Sequence, residues 1–154
     1  MPVRVLETPI AATQAAGLRG RAKRAYDGFL DDLAARGCAA LAYRLTGPDP
    51  LPRLCVKHLR AQDRVVVAFP DENEAWVLLV AAHLDDDPGR NVYDLLYTLA
   101  DVQPEDQAQR TKPPCCDTDT DDAPSIATDA ILGLAANARR LTSSHRRGRH
   151  AHRR

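Results

Sequence analysis

Seven side chains in the middle of this 154-residue chain could act on a phosphodiester: Lys57, His58, Arg60, Arg64, His83, Arg90 and Tyr93. Cleaving RNA without a metal needs three things. The 2′-hydroxyl must lose its proton, the phosphate charge must be balanced, and the departing 5′-oxygen must be protonated. Fixed cations balance charge. A group titrating near neutrality, or a Tyr or Lys tuned by its surroundings, moves the protons. His83, Tyr93 and Lys57 are residues of types that could move protons in such a reaction. Arg60, Arg64 and Arg90 are the candidate phosphate contacts. A second cationic group, Arg19, Arg21, Lys23 and Arg24, opens a helical stretch, where positive charge opposes the helix dipole; it joins the candidate nucleic-acid contacts.

The elements that must position these residues can be traced along the chain. Val3 to Leu6 alternates as a short strand. Thr8-Pro9 supplies an N-cap and first-turn proline for a helix to about Ala16. A stronger helix runs from Arg21 to Arg36, with Ala22, Ala25, Tyr26, Phe29, Leu30 and Leu33 on one stripe and Gly37 as its stop. Strands follow at 39–45, 52–60 and 64–69. Alternation along the strand at 52–60 puts His58 and Arg60 on one face and Lys57 on the other. Pro70 to Glu74 has hairpin length, and Ala75 to Ala82 is an apolar run suited to a strand buried on both faces. Asp87-Pro88 opens a helix to about Ala100, buried through Val92, Leu95, Leu96 and Leu99. The pattern implies an α+β fold: a small antiparallel sheet, two N-terminal helices packed on it, and a helix after the last strand.

That order resembles the RelE/ParE toxin superfamily of type II toxin–antitoxin systems over residues 3–99. The likeness is carried by Arg64-Val65-Val66, Phe69, the acidic turn at Asp71 to Glu74, Trp76 to His83, and Val92-Tyr93. The chain departs from the family's pattern in two places. Gln62-Asp63 stands where a glycine and an aromatic are common, and Leu84 with Asp85-Asp86-Asp87 follows His83 where an arginine is common. The resemblance implies a metal-independent endoribonuclease acting on ribosome-associated messenger, with a cognate antitoxin, the ribosome and mRNA as partners. It also admits a gyrase inhibitor of the ParE type, or a member that has lost catalysis and only binds RNA or protein.

Composition bounds the rest. Net charge is zero, but residues 1–60 carry ten Lys/Arg against five Asp/Glu, and residues 61–99 carry two against eight. Residues 1–102 read as the toxin-like domain and 103–154 as a low-complexity, largely disordered tail, with a linker at 103–125 and a short helix at 126–141. Its end, with five Arg and three His in thirteen residues, suits nucleic acid. Cys38 and Cys55 read as small core residues, and adjacent Cys115-Cys116 lacks zinc-site spacing. No apolar run is long enough for a membrane span, and no secretory signal is visible. The expectation is a cytoplasmic protein with reduced thiols, no metal, no small-molecule cofactor and no membrane partner.

Overall fold

The computed structural model describes residues 2–60, 62–82, 92–101 and 113–138. Five strands form one sheet: β1 (Arg4–Glu7), β2 (Tyr43–Arg44), β3 (Leu54–His58), β4 (Asp63–Asp71) and β5 (Glu74–Ala82). They lie in the order β1-β5-β4-β3-β2. All neighbours are antiparallel except β1, which runs parallel to β5. The helices are α1 (Pro9–Ala16), α2 (Gly20–Arg36), α3 (Val92–Ala100) and α4 (residues 128–138). The expected α+β arrangement is the one observed. No helix among the described residues is long and apolar enough to cross a membrane.

Local chemistry accounts for the ends of the elements. The Thr8 side chain accepts from the Ala11 N–H, and its hydroxyl donates to Leu78 O at 2.9 Å, so one buried residue caps α1 and ties it to β5. Gly37 takes φ +59°, and its N–H closes on Leu33 O; this is the left-handed stop expected after α2. The strand expected over 39–45 is shorter. Residues Gly37–Ala40 form a 3₁₀ turn, and only Tyr43–Arg44 pairs with β3. Leu51–Arg53, with a proline in its first turn, is a second 3₁₀ turn, so β3 begins at Leu54.

Each face of the sheet carries its own core. On one face α1 and α2 bury Ala11, Tyr26, Phe29 and Leu33 against Cys55, Val65, Val67 and Val77. On the other, Val92, Leu96, Tyr97 and Leu99 of α3 cover Leu54, Val56, Val66, Leu78 and Leu79. The register between β4 and β5 slips between Val66 and Val67, so Leu78 and Leu79 both belong to the α3 core. Because both faces of β5 are covered it reads as a continuous apolar run instead of an alternation, and the bulge adds the same-face pair Leu78-Leu79.

Two expectations need correction. The cysteines are not free core thiols: Cys38 bonds Cys116 and Cys55 bonds Cys115, across 78 and 60 residues. Nor is 113–125 a linker. Pro113 O accepts from the Arg44 N–H at the outer edge of β2. Cys115 is buried in the α2 core, and Phe69 bridges Ser125. Helix α4 then seats Ile131, Leu134 and Ala138 in the α3 core, with Ile126 beside them. The segment therefore wraps from one face to the other. Its apolar residues are sparse because two cystines supply the anchorage that a core would otherwise provide. The expected helix at 126–141 is observed over 128–138; the rest of the tail lies outside the described residues.

Candidate functional site

The α3 face of the sheet carries a chain of three polar side chains at one end. Tyr43 lies directly opposite Val56 in the β2–β3 register, and His58 follows two residues along the same face of β3. The Tyr43 hydroxyl is 3.1 Å from His58 Nε2, and the two rings meet edge-on at 5.7 Å. The same hydroxyl is 2.7 Å from the Tyr93 hydroxyl on the first turn of α3. Tyr93 is 9% exposed, Tyr43 is half-buried and His58 is exposed, so the chain runs from the core to the surface.

Tyr43 sits in the middle with a single proton. If His58 Nε2 accepts, Tyr43 donates to it and Tyr93 donates to Tyr43. If His58 Nε2 is protonated, both bonds reverse. The three groups can thus follow the charge state of the imidazole without moving heavy atoms. A hydrogen-bonded row of this kind polarises cooperatively in a partly dry site.

Arg64 is the register partner of His58 on β4, and Ala81 lies opposite it on β5. Its side chain is half-buried, with Nη1 3.1 Å from Asp63 O. Arg60 is exposed in the turn between β3 and β4, whose carbonyl accepts from the Asp63 N–H. Positive charge therefore flanks the exposed end of the chain.

The other expected site residues divide. Lys57 alternates to the opposite face, beside α2, where its charge reaches Asp32. Two hydrogen bonds from Arg36, at 2.6 and 2.7 Å, are the main reason the Asp32 carboxyl is held below its usual range, and Lys57 adds to this. Lys57 is thus separated by the sheet from Tyr93. The cluster at the start of α2 is on that far side too. Arg19 Nη1 donates to Ala16 O and Leu18 O, closing the α1–α2 turn, and Lys23 pairs with Asp27 at 3.1 Å. Arg21 and Arg24 are exposed. His83 and Arg90, with Leu84 to Asp87, lie outside the described residues.

Sequence reasoning left Tyr43 out and named His58 among the candidates without assigning it a specific role. The parity of β3 already placed His58 opposite to Lys57. What was missing was the β2–β3 register, which a two-residue strand does not announce. Among the described residues no group of His, Cys, Asp and Glu could hold a metal ion.

No protein-family model matches the chain, and no curated protein matches it. Among solved structures, it is similar to a chain of the RelBE2 toxin–antitoxin complex from Mycobacterium tuberculosis. The identity is 21% and the TM-score 0.45, covering 53% of this chain and 99% of that one.

Proposed function

We propose that this protein is a RelE-type toxin, a metal-independent endoribonuclease acting on ribosome-associated messenger and neutralised by an antitoxin. The observation that carries the reading is the Tyr93–Tyr43–His58 hydrogen-bond chain ending beside Arg64 and Arg60. The sequence resemblance supplies the substrate class and partner.

His58, the exposed member, takes the proton from the RNA 2′-hydroxyl. The freed oxygen attacks the adjacent phosphorus, the bond to the 5′-oxygen breaks, and a second proton-transfer group, His83, gives a proton to that oxygen. The products are a 2′,3′-cyclic phosphate and a 5′-hydroxyl. Tyr43 and Tyr93 fix the ring and adjust to its charge. Arg64 and Arg60 balance the charge that builds on the phosphate. Lys57, on the other face, takes no part, and Tyr93 is a positioning residue. His83, as that second group, and Arg90, as a phosphate contact, keep the roles expected of them from the sequence.

The test uses the full chain with messenger-programmed ribosomes and maps new 5′-ends by primer extension. Cuts within the A-site codon are expected, with His58→Ala slower by ~10²–10⁴-fold, the usual worth of an acid–base group. Lys57→Ala should cut at the parent rate. Absence of cleavage, or toxicity accompanied by gyrase-linked DNA breaks instead, would overturn the reading.

A further inference from the structure

Tyr43 is the member of the site with the least local support, because β2 is two residues long. On its inner side the segment is held by β3, through Ala42 N–H to Val56 O at 2.9 Å and Leu45 N–H to Leu54 O at 3.0 Å. On its outer side the Arg44 N–H donates to Pro113 O at 2.7 Å, and Arg44 Nε donates to Cys115 O at 2.9 Å. Residues 113–116 thus act as the outer neighbour of β2, although they form no strand themselves.

Those two carbonyls are fixed covalently. Cys115 is bonded to Cys55, the register partner of Arg44 on β3 and three residues before His58. Cys116 is bonded to Cys38, just after α2. Without the bonds, the Phe69–Ser125 bridge and helix α4 still tether the segment downstream. At Arg44 itself, however, two hydrogen bonds would have to hold residues 113–116 against their conformational entropy, a contest that a short irregular stretch loses.

We infer that the Cys38–Cys116 and Cys55–Cys115 cystines form a redox clamp that sets Tyr43 through Arg44, assembling the site when oxidised and loosening it when reduced. The inference rests on the reading of Tyr43 as part of the site. The reductant is a dithiol, such as a small thiol–disulfide exchange protein. Each cystine accepts two electrons and two protons, its S–S bond breaks to give two thiols, and the dithiol closes to a disulfide. Two dithiols serve both bridges. Cys55 and Cys115 are 0% and 1% exposed, while Cys116 is half-buried, so the Cys38–Cys116 bridge meets the reductant first.

The test titrates the oxidised full chain with dithiothreitol and follows amide hydrogen exchange, thiol content and cleavage together. Opening the bridges should speed exchange of the Arg44 amide at least tenfold and leave the β4–β5 amides protected. The reduced protein's pH profile of cleavage should become that of oxidised Tyr43→Phe. A variant with Cys38→Ser and Cys116→Ser opens only the outer bridge and should give a partial increase at Arg44. Unchanged Arg44 exchange on reduction overturns the clamp. So does release of the β4–β5 amides together with Arg44, which would make the cystines a support for the whole fold. A selective response at Arg44 without any RNA cleavage would leave the clamp standing and remove the ribonuclease reading.

Discussion

Replacing Ile131 by alanine should cost about 3 kcal/mol of stability. The side chain is 0% exposed, and α4 seats it in the core shared by α3 and the sheet. The change deletes three carbon groups, worth roughly 0.8 kcal/mol each in transfer alone, and incomplete collapse of the cavity brings such changes to about 2–5 kcal/mol. For a chain of this size that lowers Tm by roughly 6–12 °C. Leu132, next to it and 51% exposed, is the control; Leu132→Ala should stay within about 0.5 kcal/mol. Urea denaturation of the oxidised proteins measures both. A loss under ~1 kcal/mol for Ile131→Ala, or equal losses at the two positions, would show that α4 does not share the core, and that the domain ends near residue 102 as composition suggests.

Two further outcomes follow from other parts of the molecule. Burial and the Glu7 carboxylate, which accepts a hydrogen bond from the Tyr26 hydroxyl, push the Tyr26 phenol well above its ordinary value. The folded state therefore keeps a proton that the unfolded chain releases above pH ~10. This contribution is intact below that pH and falls progressively as pH rises above it toward the folded value, so the stability gap between the parent and Tyr26→Phe should begin to narrow in urea midpoints taken from about pH 9 to 11; parallel curves would contradict the assignment. Binding of single-stranded RNA should weaken with salt, and Arg60→Gln with Arg64→Gln should flatten the log–log slope by up to about 0.7 per lost phosphate contact. Arg21→Gln with Arg24→Gln, on the other face of the sheet, should leave the slope unchanged.

Much of the fold is legible in the sequence because its signals are local. The α2 stripe, the Thr8-Pro9 start, the Gly37 stop and the β4–β5 hairpin each rest on neighbours within a few residues. What escaped was non-local. The cystines join positions 60 and 78 residues apart, and nothing in adjacent Cys115-Cys116 announces partners on β3 and after α2. The same holds for 113–126, whose polar composition reads as linker until covalent anchorage is known. For the site, Tyr93 and Arg64 were reached through the order of the elements. Lys57 was grouped with them although strand alternation sends it to the α2 face. His58 needed the β2–β3 register before its neighbour Tyr43 could give it a partner.

The central claim is that His58, held by the Tyr93–Tyr43–His58 hydrogen-bond chain, takes the proton during RNA cleavage. Its most direct test is the pH dependence of single-turnover cleavage on programmed ribosomes, compared between the oxidised parent and Tyr43→Phe. The parent rate should rise with pH as the base loses its proton, to a plateau. Tyr43→Phe, which removes the hydroxyl touching both partners, should lower the plateau at least tenfold and shift that ionisation. A variant with the parent's plateau and the parent's midpoint would contradict the account.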